Sequence, residues 1–143
     1  MNKNDFSCIR DMDVRWGDLD ALNHVNNAMF LVYYESGRTF YGQDMAELNA
    51  TLRVGGVVAE ATCTYLQQLR FPTTFQIGTR ISRIGNTSFD YTAGIFYKDQ
   101  DENPISTFKG RMVCFDHETQ QKYRLPDENR ELICAFEKIR PDM

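Results

Sequence analysis

The chain has 143 residues, with 20 acidic and 16 basic side chains that give a formal net charge of −4. This length predicts one domain spanning residues 1–143, and the acidic balance argues against nucleic acid as the main partner, because phosphate binding needs a basic surface. No apolar run approaches the roughly 20 residues that a membrane-spanning helix needs, so we expect no membrane partner.

The cysteines are far apart in the sequence, and none form a Cys-x-x-Cys pair. The N-terminus also lacks the charged and then apolar pattern of an export signal. Both features predict free, buried thiols in a protein of the reducing cytoplasm. The four cysteines are Cys8, Cys63, Cys114 and Cys134.

The first predicted element is a strand over residues 9–16, where apolar side chains alternate loosely until Gly17 interrupts the pattern. A polar loop over residues 18–24 follows. Next comes a long helix, for which either Asn26 or Asn27 can supply the N-cap. Residues 29–34 are consecutively apolar and point in all directions around the axis, which is typical of a helix surrounded by protein.

Two features predict how this helix continues. Glu35 and Arg38 are one turn apart and can pair on the helix surface. Gly42 is a plausible C-terminal stop. We then expect a short second helix over residues 44–52 and a turn over residues 53–56.

From residue 57 the apolar period changes to two, which predicts strands. Gly85 and Asn86 indicate a hairpin within this region. A last helix is expected over residues 127–136, after Pro126. Strands beside segregated helices indicate an α+β fold in which the sheet wraps around the apolar helix. The strands are expected over residues 57–65, 75–82, 89–97 and 105–116.

The polar loop is the strongest candidate for chemistry. Asp20 stands a few residues before a helix N-terminus, whose free amides can hold an oxyanion. Asp18 is the better candidate for a structural role, bonding loop amides. The sequence offers no Ser-His-Asp set, and its two distant histidines and unspaced cysteines argue against a metal site or other cofactor. A carboxylate can act as a nucleophile or as a general base, and the residues do not distinguish the two.

The run RWGDLDALNHVNN over residues 15–27, followed by Tyr33-Tyr34-Glu35 and Arg38, resembles the signature of hotdog-fold thioesterases of the 4-hydroxybenzoyl-CoA thioesterase type. The likeness extends along nearly all of the chain. It implies a five-stranded antiparallel sheet wrapped around a long central helix. It also implies hydrolysis of an acyl-CoA, with coenzyme A as part of the substrate, at sites shared between the subunits of a homodimer or homotetramer.

The resemblance also assigns roles to particular residues. Asp20 matches the catalytic carboxylate of the family, and His24 is a second catalytic candidate that can orient Asp20 or donate to the carbonyl. Asn27 lies where many relatives have His or Tyr. The residues expected to bind the acyl-CoA are Asn27, Gly56, Val57, Arg83, Asn86, Thr87 and Ser88.

Other functions remain open at this point. An acyl-carrier-protein thioesterase would differ only in the carrier of the acyl group. A hydratase or dehydratase of the same fold would use an Asp and a His for proton transfer beside the thioester. A non-catalytic acyl-thioester binder would bind without turnover.

Overall fold

The computed structural model describes residues 1–49 and 56–143. Five strands form one antiparallel sheet, and a 22-residue helix packs against it. The predicted five-stranded sheet around a long helix is therefore confirmed. The elements are β1 (Cys8–Asp13), α1 (Asn27–Leu48), β2 (Val57–Tyr65), β3 (Thr74–Ile84), β4 (Ser88–Tyr97), β5 (Ser106–Val113), the two-residue strands β6 (Phe115–Asp116) and β7 (Gln121–Lys122), and α2 (Asp127–Phe136). The strands of the five-stranded sheet lie in the order β1-β3-β4-β5-β2.

Aromatic side chains of α1 form the contact between helix and sheet. Tyr33 packs against Phe75 of β3 with ring centroids 4.9 Å apart, and Tyr34 stacks on Phe108 of β5 at the same distance. Further along the helix, Tyr41 meets Tyr91 of β4 edge to face. Because these rings are almost fully buried, their burial supplies much of the hydrophobic stabilisation of the core.

The helix is not surrounded by protein as predicted. Leu31 and Val32 are 44% and 43% exposed, and the buried residues of α1 lie on the side that faces the sheet. The sheet covers one side of the rod, so the apolar run 29–34 extends beyond the face that this chain buries.

The predicted end of the helix at Gly42 is also wrong. The helix continues to Leu48, because Met45 is fully buried and its packing outweighs the cost of about 1 kcal/mol for an interior glycine. The predicted second helix therefore begins inside α1. Its last residues, and all but the last residue of the predicted turn at 53–56, lie outside the described residues.

Other boundaries shift for reasons of pairing. β1 ends at Asp13 rather than at residue 16, because its partner β3 begins at Thr74, directly opposite. The segment predicted as one strand over 105–116 divides into β5 and β6 at Cys114, whose amide bonds to Thr87. All four cysteines are free, two of them buried and two half-buried.

The predicted pair of Glu35 and Arg38 is not formed. Instead, the Arg38 guanidinium lies over the ring of Phe108, 5.3 Å from its centroid. The aromatic face of β5 thus replaces the surface partner that the helix spacing offered.

The close approach of α1 to β3 depends on Gly37. A Cβ at this position would lie 2.6 Å from the Thr79 hydroxyl oxygen and 2.8 Å from Ile77 Cδ1. We expect Gly37→Ala to lower the free energy of unfolding by about 1–3 kcal/mol, because the helix must move away from the sheet. Urea unfolding measures this change.

Gly17→Ala is the matched control, since a Cβ at Gly17 would meet nothing within 4 Å. We expect it to change the free energy of unfolding by less than about 1 kcal/mol. Equal effects of the two substitutions would contradict the proposed close packing at Gly37.

Candidate active site

A buried carboxylate anchors the loop between β1 and α1. Asp18 is 3% exposed and accepts hydrogen bonds from the Tyr33 hydroxyl at 2.6 Å and from the Arg15 amide at 3.0 Å. The Arg15 guanidinium lies 3.1 Å from the same carboxylate. Burial raises the pKa of Asp18, but the hydrogen bonds from Tyr33 and Arg15 outweigh it and hold the pKa below its ordinary value. The prediction that Asp18 is structural and bonds a loop amide is confirmed.

Asp20 lies on a tight turn that follows this anchor. Its Oδ1 accepts hydrogen bonds from the amides of Leu22 at 2.8 Å and His24 at 3.3 Å. Asn23 takes the left-handed conformation in this turn, with a φ of 61°. The side chain is half-buried, and Oδ2 accepts no hydrogen bond from residues 1–49 or 56–143. One oxygen of Asp20 is therefore held by the loop and the other is available.

Helix α1 begins at Asn27, seven residues after Asp20 in the chain. The Asn26 side chain accepts from the Ala28 amide at 3.0 Å, and the Asn26 carbonyl accepts from the Met29 amide at 2.9 Å. The Asn27 amide has no hydrogen-bond partner in the part of the chain that the structure describes. A free amide at the positive end of a helix can donate to a ligand oxygen that carries negative charge.

The side chain of His24 contacts the segment before β3. Its Nε2 lies 3.4 Å from the Arg70 guanidinium, which also donates to the Gln68 side chain at 3.0 Å. Because arginine only donates hydrogen bonds, this contact suits a neutral ring with Nε2 as the acceptor. His24 and Asp20 are joined through their backbones, since the Asp20 amide donates to the His24 carbonyl at 2.8 Å.

Two residues near the helix start were not identified from the sequence. The Tyr65 hydroxyl donates to the Asn27 carbonyl at 3.1 Å, and its ring packs edge to face on Phe30. Arg70, which contacts His24, is the second. Both are distant from the motif along the chain, and the only signal for Tyr65 was that it ends the predicted strand 57–65.

The remaining predicted site residues lie together at the other end of the sheet. Val113 of β5 pairs with Val57 on one side and with Ser88 on the other. Gly56 precedes Val57, and a Cβ there would lie 2.3 Å from the Val113 carbonyl oxygen, so the backbones approach closely. The hairpin between β3 and β4 completes this group with Arg83, Asn86 and Thr87.

An ion-pair network holds the hairpin. The Arg83 guanidinium donates to Asp90 at 2.7 and 3.0 Å and to the Ser88 hydroxyl at 3.0 Å. Arg111 donates to the same carboxylate at 2.9 and 3.1 Å. Burial raises the pKa of Asp90, but the bonds from both guanidinium groups outweigh it and hold the pKa far below its usual value. Arg83, Asp90 and Arg111 line a polar cavity of about 480 Å³, together with Lys109 and Glu60.

The two groups of predicted residues are therefore separated within one protomer. Asp20, His24 and Asn27 lie at the Tyr65 end of β2, whereas Gly56 and Val57 lie at its start. Nine residues of strand at about 3.3 Å per residue put these ends roughly 26 Å apart. A single chain brings Asn27 close to Asp20 and His24, but it does not bring the predicted binding residues 56–57 and 83–88 into contact with them.

The comparisons with known proteins agree on one family. The family model of the thioesterase-like superfamily matches residues 14–133. The chain is also 31% identical over 130 residues to the chloroplastic acyl-acyl carrier protein thioesterase ATL2 of Arabidopsis thaliana, covering 89% of this chain and 68% of that protein.

Solved structures show the same fold. A thioesterase from Thermus thermophilus, crystallised with coenzyme A and Zn, is 28% identical with a TM-score of 0.79, covering 94% of this chain and 97% of that one. The PA5185 protein of Pseudomonas aeruginosa has a TM-score of 0.81 at 23% identity and covers 95% of both chains. These matches confirm the predicted hotdog fold.

Residues 1–49 and 56–143 contain neither a clustered metal-ligand set nor a helix suited to span a membrane. No group of three or more His, Cys, Asp or Glu side chains is arranged to hold a metal ion. No helix there is long and apolar enough to cross a membrane.

The pKa of Asp18 gives a test of the loop anchor. Because this pKa is lowered by folding, the ionised carboxylate stabilises the protein above the unfolded value of about 3.9, and this contribution is lost as the pH falls through the folded pKa. We expect Asp18→Asn to cost about 1–3 kcal/mol at neutral pH and progressively less on acidification. Urea unfolding at a series of pH values measures the difference from wild type.

Asp99→Asn serves as the control, because Asp99 lies in an exposed turn after β4. It should match wild type at every pH. If the Asp18→Asn difference stayed constant down to about pH 3, the anchor would not depend on the charge of Asp18.

Proposed function

The chain belongs to the thioesterase-like superfamily, and we propose that its substrate is an acyl-CoA thioester, which it hydrolyses to a free carboxylic acid and CoA. The observation that carries this proposal is the half-buried Asp20, with one oxygen held by the loop and one unpaired, close in sequence to the unpaired Asn27 amide. A thioester needs a nucleophile on one side of its carbonyl and donors for the developing oxyanion on the other.

Asp20 can act by either of two routes. As a nucleophile, Oδ2 attacks the carbonyl carbon, the CoA thiolate leaves, and water then hydrolyses the mixed anhydride. As a general base, it takes a proton from a water molecule that attacks the same carbon. In both routes the Asn27 amide donates to the oxyanion, and the leaving thiolate takes up a proton to give free CoA.

His24 is proposed to assist from the same loop. Its Nε2 contacts Arg70, and its backbone amide and carbonyl bond to Asp20 in the turn that carries this carboxylate. A neutral imidazole in this position can donate from Nδ1 to the substrate or to a water molecule.

The site is proposed to lie between two subunits, and the support comes from strand β2. This nine-residue strand lies at the edge of the sheet, with β5 as its one partner strand in the described ranges. Seven of its residues are exposed, and long edges of this kind favour pairing with another chain. Antiparallel pairing of two copies of β2 would join the sheets of two subunits around a two-fold axis.

Such pairing would bring the two separated groups together. If the axis passes near Ala61, Val57 of the partner subunit lies opposite Tyr65, at the start of α1. Ser88 lies two strands from Val57 in the same row of the sheet, so the partner subunit's hairpin would approach Asp20. Each site would then combine Asp20, His24 and Asn27 of one subunit with residues 56–57 and 83–88 of the other.

The resemblance to ATL2 favours one alternative, in which the acyl group is carried by an acyl carrier protein rather than by CoA. The Thermus thioesterase, crystallised with coenzyme A, favours CoA as the carrier, and its sequence identity to this chain, 28%, is similar to that of ATL2. Turnover of one acyl group presented on each carrier separates the two.

The role of Asp20 is tested by Asp20→Asn. We expect this substitution to lower kcat by about 10²- to 10⁴-fold, because the amide neither attacks the carbonyl nor accepts a proton from water. Thiol release from a panel of short, medium, long and aryl acyl-CoAs measures the rate. Asp13→Asn, an exposed aspartate near the end of β1, should retain nearly full activity. Turnover of Asp20→Asn within a few-fold of wild type would exclude both routes.

The shared site is tested by mixing two inactive variants. Asp20→Asn removes the proposed catalyst, and Arg83→Gln disturbs the hairpin proposed to bind CoA. In a mixed dimer, one of the two sites would combine the intact Asp20 of one subunit with the intact hairpin of the other. We therefore expect activity to return when the variants are unfolded and refolded together, measured by thiol release. If each site used residues of one chain only, the mixture would stay inactive.

A further inference from the structure

Arg38 is an arginine with no salt-bridge partner in the described ranges. It is half-buried on α1, and it makes no hydrogen bond or salt bridge with residues 1–49 or 56–143. Its contact is with the Phe108 ring, over which the guanidinium lies at 5.3 Å. Burial lowers its pKa, and Tyr91 and Glu35 offset this only partly. A desolvated guanidinium is costly unless a ligand or partner accepts its hydrogen bonds.

The Arg38 side chain lines a cavity between α1 and the β2 side of the sheet. The cavity has a volume of about 280 Å³. Its lining includes Glu35, Arg38, Gly56, Val58, Tyr91 and Met112. Tyr91 is buried among aromatic rings and, like Arg38, has no hydrogen-bond partner for its side chain in the described ranges. Arg38 and Tyr91 thus line a space whose other walls combine the polar side chains of Glu35 and Thr39 with apolar ones.

The position of the cavity connects it with the proposed active site. Gly56 and Val58 form its β2 wall, and in the proposed dimer this end of β2 lies beside Asp20 of the partner subunit. An acyl group whose thioester carbonyl sits at that carboxylate would extend under the sheet toward Arg38. This step rests on the proposed function.

We propose that Arg38 selects the acyl group, and that the preferred substrates are thioesters whose acyl chain carries a hydrogen-bond-accepting oxygen, a carboxylate or a hydroxyl, at the end remote from the thioester. A carboxylate matches the guanidinium fork with two hydrogen bonds. A hydroxyl accepts from Arg38 and donates to Glu35. A plain alkyl end would leave the guanidinium desolvated and unpaired, so the site discriminates against it.

The test compares acyl-CoAs of equal chain length that differ only at the far end. The first set is hexanoyl-CoA, ω-hydroxyhexanoyl-CoA and adipoyl-CoA, and the octanoyl, ω-hydroxyoctanoyl and suberoyl thioesters form the second. We expect the wild type to prefer an oxygen-bearing member of at least one set. Arg38→Met should lower kcat/KM for that member about 10- to 100-fold while changing the alkyl thioester by only a few-fold. Arg38→Lys should keep part of the preference.

Arg10→Met is the matched control. Arg10 also lies over an aromatic ring, Phe40, at 6.0 Å, but it pairs with Asp44 and lies outside the cavity. It should leave the preference among substrates unchanged. Thermal unfolding of all variants identifies any that fail to fold. If Arg38→Met does not fold, Arg38→Lys is compared with wild type instead.

Binding gives a readout that does not require hydrolysis. The thioethers S-hexyl-CoA and S-(ω-carboxypentyl)-CoA contain no cleavable thioester, and calorimetry measures their affinities. We expect wild type to bind the carboxylated thioether more tightly, and Arg38→Met to lose this preference. Equal loss of affinity and turnover for every chain end would overturn the role of Arg38. Absence of turnover on every acyl-CoA, with the binding preference intact, would instead overturn the proposed function.

Discussion

The hydrogen bond between Tyr33 and Asp18 is the contact on which the arrangement of the site depends. It joins the polar loop to the first turns of α1 at a point that water does not reach. Asp20 is two residues beyond Asp18, and the amide of Asn26 donates to the Asp18 carbonyl at 2.9 Å. The loop carboxylate and the helix start are thus fixed to one buried anchor. A proposed catalyst and its oxyanion donor need a fixed relative position, because displacements of about 1 Å greatly lower the rate of catalysis.

The sheet sets a second constraint, which the single chain does not satisfy. β2 runs from the hairpin end of the fold to the helix start, and both ends carry residues that the proposed reaction needs. The same strand leaves its outer edge and most of its side chains exposed. In the proposed dimer, pairing of two such edges would cover the exposed edge and would supply each helix start with the hairpin of the other subunit. Assembly and catalysis would then depend on one strand.

The sequence predicted well those elements whose limits are set locally. β2 and α2 have the predicted bounds, since a sharp change of period begins β2 and Pro126 precedes α2. The end of α1 was missed because the complete burial of Met45 in the core, which the local pattern does not show, overrides the signal of Gly42. The prediction that protein surrounds the whole helix was wrong for this chain. An apolar pattern shows that a surface is suited to contact, but it does not show which chain covers that surface.

The residues of the proposed site also divide into those that a local motif predicted and those that depend on distant contacts. Asp18, Asp20, His24 and Asn27 are within ten positions, so a short motif was sufficient to find them. Tyr65, Arg70 and the true environment of Arg38 depend on contacts across the fold, and for Arg38 the local pattern predicted a pairing that the Phe108 ring replaces. The groups proposed for the chemistry are therefore encoded locally, whereas the surroundings of Arg38, the residue proposed to select the substrate, come from several strands. Two chains of this fold with the same loop can then hydrolyse different thioesters, because the residues that line the cavity can change without disturbing Asp18 and its hydrogen bonds.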